Sequence, residues 1–93
     1  MDDYEITGPV ELFPPPGGWM HVVAPQHVSD ELAPLADRGL IAVRALLGET
    51  AWDTSLLPRG DGRHFVPLKA AVRDAHGIDV GDHVTLTVTP RER

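Results

Sequence analysis

The clearest pattern in the chain is an alternation of apolar and polar residues near its C-terminal end. From His83 to Thr89 (HVTLTVT), valine or leucine alternates with threonine, which predicts a half-buried β-strand. Thr50 to Leu57 (TAWDTSLL) alternates in a similar way, and Leu40 to Leu47 (LIAVRALL) is a near-continuous apolar run of strand length. Because only Gly48 and Glu49 separate the last two segments, we predict that they form a β-hairpin.

The N-terminal segment also has β-type composition, but proline interrupts it. Tyr4 to Phe13 (YEITGPVELF) is broken at Gly8-Pro9, which is typical of a bulge or of an outer strand where the missing proline N–H does no harm. The run Pro14 to Gly18 (PPPGG) begins stiff and ends flexible, so we predict a long hairpin loop. A polyproline ligand for a partner module is the alternative interpretation of this run.

The first of two predicted helices follows a short strand, Trp19 to Ala24 (WMHVVA), that stops at Pro25. The helix is expected over Val28 to Ala36, with Ser29 as its N-cap and acidic residues in its first turn. Its buried face should carry Val28, Leu32 and Leu35. Because Pro34 removes a backbone N–H, the helix should kink there or stop after two turns.

The second helix is predicted over Lys69 to His76, after a short strand, His64 to Val66, that stops at Pro67. The spacing from Pro25 to Gly39 equals that from Pro67 to Gly81, so both helices sit in a strand–proline–helix–glycine–strand unit.

Superposing these two units pairs Val23 with Phe65 and Ala33 with Ala75, which indicates either an internal repeat or a coincidence of spacing. One strand–helix–strand unit cannot bury its apolar face alone, but two interleaved units can. The fold class predicted from the pattern is therefore mostly β: a small pseudo-two-fold β-barrel capped by two short α-helices.

Composition narrows the picture to one domain over residues 1–93, because a chain of 93 residues is too short for two ordinary cores. The absence of cysteine excludes disulfides, thiolate metal sites and cysteine nucleophiles. No segment approaches the roughly 20 apolar residues of a membrane-spanning helix, so we expect no membrane contact and a cytoplasmic protein.

Charge argues against nucleic acid, because a net charge of -6 repels phosphate backbones. Local basic patches remain possible at Arg59 with Arg63 in a loop, and at Lys69 with Arg73 one turn apart on the second helix. We therefore expect the partner to be a small anionic ligand or a protein rather than nucleic acid.

The loop before the second unit is the first candidate binding site. It contains Arg59, Gly60, Gly62, Arg63 and His64. Its glycines allow backbone N–H groups to point outward, and its arginines can pair with a carboxylate or phosphate, so we consider an anion site. The alternative is a structural loop that needs glycine only for its turns.

Two tryptophans, Trp19 and Trp52, complete the list of candidate site residues. They either line a ligand pocket at the barrel mouth or serve as large core and rim residues. The five histidines show no metal-ligand spacing, so we expect no metal and no cofactor. We also expect a monomer or a weak homodimer, because a chain that completes its own pseudo-dimer has less need of a second copy.

Residues 64 to 84 resemble the swapped-hairpin motif of AbrB/MazE-type proteins: strand, proline, helix with a basic residue, glycine, then Gly-Asp and a valine-rich strand. Over residues 10 to 89 the chain resembles the bacterial family called domain of unknown function 1905. The shared features include Phe13, the strand from Trp19 to Pro25, and the Ser-Leu-x-Pro-x-Gly-x-Gly-x-His loop from Ser55 to His64. The resemblance implies a double-split β-barrel capped by helices and implies no activity.

These observations leave three functional hypotheses. The first is a non-catalytic ligand-binding or interaction module, with its site between the loop and the two tryptophans. The second is an enzyme that acts on a small anionic substrate in the barrel mouth, with His64 as the acid–base group. The third, an AbrB-like DNA-binding regulator, depends on fold alone.

Overall fold

A computed structural model of the chain describes residues 3–14 and 18–91. It contains seven strands and two short α-helices, which confirms the prediction of a mostly β, barrel-like fold with two helices. The strands are β1 (Tyr4–Pro9), β2 (Glu11–Leu12), β3 (Met20–Val23), β4 (Ile41–Leu47), β5 (Thr50–Pro58), β6 (His64–Pro67) and β7 (His83–Pro90). The helices are α1 (Gln26–Leu32) and α2 (Ala70–His76), and a 3₁₀ turn, Ala33–Leu35, follows α1 directly. No helix of the described part is long and apolar enough to cross a membrane.

All seven strands belong to one antiparallel sheet in the order β1-β7-β4-β5-β6-β3-β2. The predicted hairpin is present, since β4 pairs with β5 from Ile41↔Leu56 to Leu47↔Thr50. The predicted loop before β3 is also a hairpin connection, because the Phe13 N–H donates to the Trp19 carbonyl oxygen at 3.3 Å. Three residues of that loop, 15 to 17, lie outside the described part.

The sheet is nearly closed because its two edge strands are consecutive in the chain. β1 pairs with β7 and β2 pairs with β3, so the N-terminal segment is an outer strand, as its proline predicted, and supplies both edges of the sheet. Val10 marks the switch between the two edges: its N–H donates to Asp82 O at 2.8 Å, and its carbonyl accepts the Gly81 N–H at 2.9 Å. Gly8 and Pro9 are the last two residues of β1, directly before this crossing.

The barrel interior is filled by aliphatic side chains from every long strand and both helices. β7 shows the predicted alternation, with Leu86 and Val88 buried and Thr85 exposed. Among the largest fully buried side chains are Ile6, Leu32, Ile41, Leu56 and Leu86. Burial of such side chains stabilises a domain by roughly 1.5–3 kcal/mol each.

The first helix differs from the prediction at both ends. It begins at Gln26, with Pro25 as its N-cap, so Ser29 lies inside the helix and caps nothing. Ser29 is instead buried, and its hydroxyl oxygen accepts the His64 N–H at 2.9 Å. The helix ends at Leu32, as expected with Pro34 ahead, but Leu35 is in the 3₁₀ turn and is 54% exposed, so its predicted burial was wrong.

The second helix begins one residue later than predicted and ends as predicted. Gly77 follows it with φ of 60°, a left-handed conformation that glycine adopts without strain. The next turn is fixed by Asp82, whose carboxylate accepts the Asp79 N–H at 2.8 Å. At the end of α2, His76 Nε2 lies 2.8 Å from Thr50 Oγ1, which ties the helix to the β4–β5 hairpin.

Strand pairing agrees with the internal repeat. The corresponding strands of the two units pair with each other, β3 with β6 and β4 with β7, and both helices have seven residues. Val23 pairs directly with Phe65, the residue that the sequence superposition makes its equivalent. On the other side of the barrel, β4 and β7 pair from Val43↔Pro90 to Leu46↔Thr87. β5 lies beside β4 and β1 lies beside β7, so β5 and β1 occupy corresponding positions in the sheet.

Candidate functional site

The predicted Arg59–His64 loop uses Arg63 internally. The Arg63 guanidinium donates two hydrogen bonds, from Nε at 3.0 Å and Nη2 at 2.9 Å, to the carbonyl oxygen of fully buried Ala24. The loop is closed beneath it by the Arg59 N–H, which donates to Arg63 O at 2.8 Å. The side chain of Arg63 therefore holds the loop against the end of β3.

Other loop residues also have partners within the chain. Arg59 Nε lies 3.6 Å from a carboxylate oxygen of Asp61, and the Gly62 carbonyl accepts a hydrogen bond from the Gln26 side chain at 3.3 Å. His64 has a buried Nδ1 atom without a partner among the described residues. Gly60 and Gly62 adopt φ of 102° and 90°, a backbone conformation that glycine adopts without strain.

The two tryptophans lie at a different place, a cavity of about 460 Å³ between β5 and α2, called here the β5–α2 cavity. The lining residues of the β5–α2 cavity are Gly18, Trp19, Met20, Trp52, Asp53, Thr54, Ser55, Leu57, Pro67, Leu68, Lys69 and Arg73. Trp19 and Trp52 thus line the same cavity, and none of the residues 59 to 64 lines it, so the structure does not bring the loop and the two tryptophans together.

The cavity exists because β5 and β6 separate after a short ladder. They pair only at Leu57↔Phe65 and Pro58↔His64, and β6 then continues against β3. Continued in the same register, the ladder would place Pro67 opposite Ser55, but proline has no N–H to donate. The chain turns away here, and the Leu68 N–H donates to Met20 O at 2.9 Å. The space that this divergence leaves beside β5 is the cavity.

The two tryptophans contribute unequally to the cavity wall. Trp52 is 5% exposed and belongs to the core, while Trp19 is 54% exposed and lies at the rim. The Trp19 backbone is held from behind, because its carbonyl is 3.0 Å from Nδ1 of buried His21. The His21 ring in turn stacks on Phe13 with a centroid separation of 3.8 Å. Trp19 therefore presents an apolar ring on a fixed backbone.

Two cations stand beside this apolar wall. The Lys69 side chain is exposed and makes no hydrogen bond or ion pair with another described residue. Arg73 is half-buried, with Nε donating to Leu68 O at 3.0 Å and Nη1 3.6 Å from the Met20 sulfur. The one carboxylate in the lining, Asp53, is already paired with Arg44 at 3.1 Å and Arg91 at 3.8 Å. The pair Lys69 and Arg73 was visible in the sequence, but its position beside Trp52 was not.

A second cavity, of about 550 Å³, lies between β1 and α1 and is called here the β1–α1 cavity. Its lining residues are Asp3, Tyr4, Glu5, Thr7, Pro25, His27, Val28 and Glu31. Its position matches that of the β5–α2 cavity, since β1 lies beside β7 as β5 lies beside β4, and Pro25 corresponds to Pro67 in the two sequence units. The two cavities differ in charge: the first has Lys69 and Arg73, and the second has three acids and neither lysine nor arginine.

In the described residues, no group of three or more histidine, aspartate or glutamate side chains is placed to hold a metal ion.

A family model described as "Domain of unknown function (DUF1905)" matches residues 7–88, which confirms the resemblance found in the sequence. No curated protein matches the chain.

Proposed function

The chain belongs to the DUF1905 family, and from that premise we propose that it is a non-catalytic binding module whose β5–α2 cavity takes a small amphipathic carboxylate. The apolar part of the ligand lies against Trp52, Trp19 and Leu57. Its carboxylate lies at Lys69 and Arg73. The position of unpartnered Lys69 beside an apolar cavity is the observation that carries the proposal.

Size and chemistry both support this ligand class. A cavity of about 460 Å³ is within the usual range of small-molecule sites, roughly 300–1,000 Å³. Such sites combine mostly apolar walls with a few polar groups that fix the orientation of the ligand. Arg73 can form a directed hydrogen bond to a carboxylate with the N–H groups it has not used, and Lys69 adds a mobile charge.

The experiment is a fluorescence titration, because Trp19 and Trp52 are the only tryptophans of the chain and both line the cavity. The probes are 4-phenylbutyrate, 4-phenylbutanol and 4-phenylbutylamine, which share one apolar body and differ in charge. We expect 4-phenylbutyrate to change the emission and to bind about tenfold more tightly than the alcohol, with the amine weakest. Added salt should weaken the binding of the carboxylate alone.

Lys69→Ala tests the charge, and Glu31→Ala in the β1–α1 cavity is its matched control. Lys69→Ala should lower the affinity for 4-phenylbutyrate about fivefold and leave the alcohol unaffected, since an exposed charge pair contributes up to about 1 kcal/mol. Glu31→Ala should change neither. If none of the three probes alters the emission or raises the melting temperature of the wild type, the proposal is wrong.

The other two hypotheses receive less support from the geometry. His64 is not among the residues that line the β5–α2 cavity, so our proposal gives it no acid–base role there. For DNA binding, a chain of net charge -6 would need a contiguous basic surface. Arg44, Arg59 and Arg91 all have aspartate partners instead. A gel mobility shift with random duplex at low salt should therefore show no retardation.

We also propose that the barrel is double-split, as the family resemblance implies. The separation of β5 from β6 is one split, and the corresponding gap beside β1 is the other. Each split has one helix next to it.

A further inference from the structure

We infer that the natural occupant of the β5–α2 cavity is the C-terminal end of an extended peptide, which adds to β5 as a strand. This inference depends on the proposed function, because it specifies the carboxylate as the terminal carboxylate of a polypeptide. Three features of the described residues support it: the backbone groups of β5 that face the cavity, the missing partner strand, and the charge.

The first feature is the direction of the β5 backbone groups, which alternates along an antiparallel strand. The Arg91 N–H donates to Ala42 O at 2.9 Å, so the backbone of Ala42 faces away from β5. Ser55 lies opposite Ala42 in the β4–β5 register and therefore faces away from β4. By the same alternation, so does Asp53. The bond from the Arg59 N–H to Arg63 O agrees, because it places Leu57 in the row that faces β6.

The second feature is that the β5 backbone groups that face away from β4 have no hydrogen-bond partner among the described residues, apart from those of Leu57. β5 pairs with β4 along Thr50 to Leu56 but with β6 only at Leu57 and Pro58. The N–H and C=O groups of Ser55 and Asp53 are thus an open strand edge inside the cavity. Such edges bind extended peptides through main-chain hydrogen bonds. At about 3.3 Å per residue, the open edge accommodates roughly three peptide residues.

The third feature is charge, which selects a terminal carboxylate. Lys69 lines the same cavity as Asp53 and Ser55, so its ammonium group stands beside the open edge. The Asp53 side chain does not oppose the carboxylate, since its charge is neutralised by Arg44 and Arg91. Arg73 adds a second cation on the same side.

The β1–α1 cavity shows how much of the specificity depends on this charge. By the alternation along β7, Glu5 and Thr7 face away from β7 as Asp53 and Ser55 face away from β4. The acids at that edge, Asp3, Glu5 and Glu31, repel a carboxylate. One chain therefore has two equivalent open edges, and only the edge of β5 suits a peptide C-terminus.

The test uses the full chain and N-acetyl-Gly-Val-Leu-Phe, titrated by tryptophan fluorescence. The free acid should bind about tenfold more tightly than its C-terminal amide. N-methylation removes one backbone N–H at a time. N–H groups alternate in direction along a strand, so only one of the Val and Leu amides faces β5. Methylation of that amide should lower affinity about tenfold, and methylation of the other should not. Equal affinities of the free acid and the amide would show that the terminal carboxylate is not the group that Lys69 and Arg73 recognise.

Hydrogen exchange measured by NMR supplies the structural readout. Saturating peptide should slow exchange of the Ser55 and Asp53 amides and leave Glu5 and Thr7 unchanged. If 4-phenylbutyrate binds but the peptide does not, or if the peptide binds without protecting Ser55 and Asp53, strand addition is wrong and the proposed function stands. If neither probe binds, both proposals fail.

Discussion

Replacing Arg63 by alanine should destabilise the domain by about 1.5–3 kcal/mol, because the Arg63 guanidinium is the partner of a buried carbonyl. Its two hydrogen bonds to Ala24 O measure 3.0 and 2.9 Å, and Ala24 is fully buried. Hydrogen bonds that involve a charged group contribute about 1.5–3 kcal/mol, and an acceptor left unpaired in the interior loses a comparable amount. The lost hydrogen bonds and the unpaired acceptor describe the same loss of free energy, so the two values are not added.

Arg59→Ala is the matched control, because Arg59 belongs to the same loop but makes only an exposed ion pair with Asp61 at 3.6 Å. Its removal should change the free energy of unfolding by no more than about 0.5 kcal/mol. Arg63→Lys should fall between the two, since a lysine has one ammonium in place of the planar fork.

The assay is urea unfolding followed by circular dichroism. With the slope of about 1–3 kcal/mol/M typical of small domains, Arg63→Ala should lower the midpoint by roughly 1–2 M at equal slope. Equal effects of the two alanine variants would refute the reasoning. So would a rise in the wild-type midpoint on adding sulfate that disappears in Arg63→Ala, because Arg63 would then be an anion ligand.

Four further substitutions test the fold in the same unfolding assay. Ser29→Ala should destabilise by about 1–2 kcal/mol, because it removes the acceptor of the N–H of the first residue of β6; no change would mean that this bond is not formed. Leu32→Ala should cost about 2–5 kcal/mol and Leu35→Ala less than about 0.5 kcal/mol, and a reversed order would contradict the end of α1 at Leu32. Gly48→Ala should cost roughly 1–2 kcal/mol, since φ is 60° and the added Cβ would lie 3.1 Å from the last side chain of α2; a neutral effect would contradict that geometry.

Most of the sheet could be predicted because its strands follow local rules. The alternation from His83 to Thr89 and the two-residue connection at Gly48 depend on neighbouring residues only, and both predictions were confirmed. The break at Gly8-Pro9 was visible as a proline that a central strand cannot hold. That the same segment supplies both edges of the sheet was not visible, because it depends on long-range pairing with β7 and β3.

The errors at α1 have a physical reason. Serine is a preferred N-cap, so Ser29 was assigned to the helix start. In the folded chain the Ser29 hydroxyl accepts the N–H of His64, a residue far away in the sequence, and Pro25 is the N-cap of the helix instead. Leu35 follows the apolar spacing of a continuous helix, but Pro34 places it in a 3₁₀ turn where the spacing differs.

The candidate site was predicted in part. Trp19 and Trp52 were expected at a barrel mouth, and the structure brings them to one cavity. The signal in the sequence for the end of the β5–β6 ladder is Pro67, which follows a short strand and has no N–H to donate. Lys69 and Arg73 were noted only as neighbours on a helix. The position of Lys69 and Arg73 beside β5 depends on where the β5–β6 ladder ends.

The most direct test of the central claim is a map of backbone amide chemical shifts during titration with N-acetyl-Gly-Val-Leu-Phe. We predict that shifts concentrate on β5 from Trp52 to Leu57, on Trp19, and on Lys69 to Arg73, with Glu5 and Glu31 unchanged. A shift pattern centred on the Arg59–His64 loop or on the β1–α1 cavity would contradict the account, as would the absence of any shift with both the peptide and 4-phenylbutyrate.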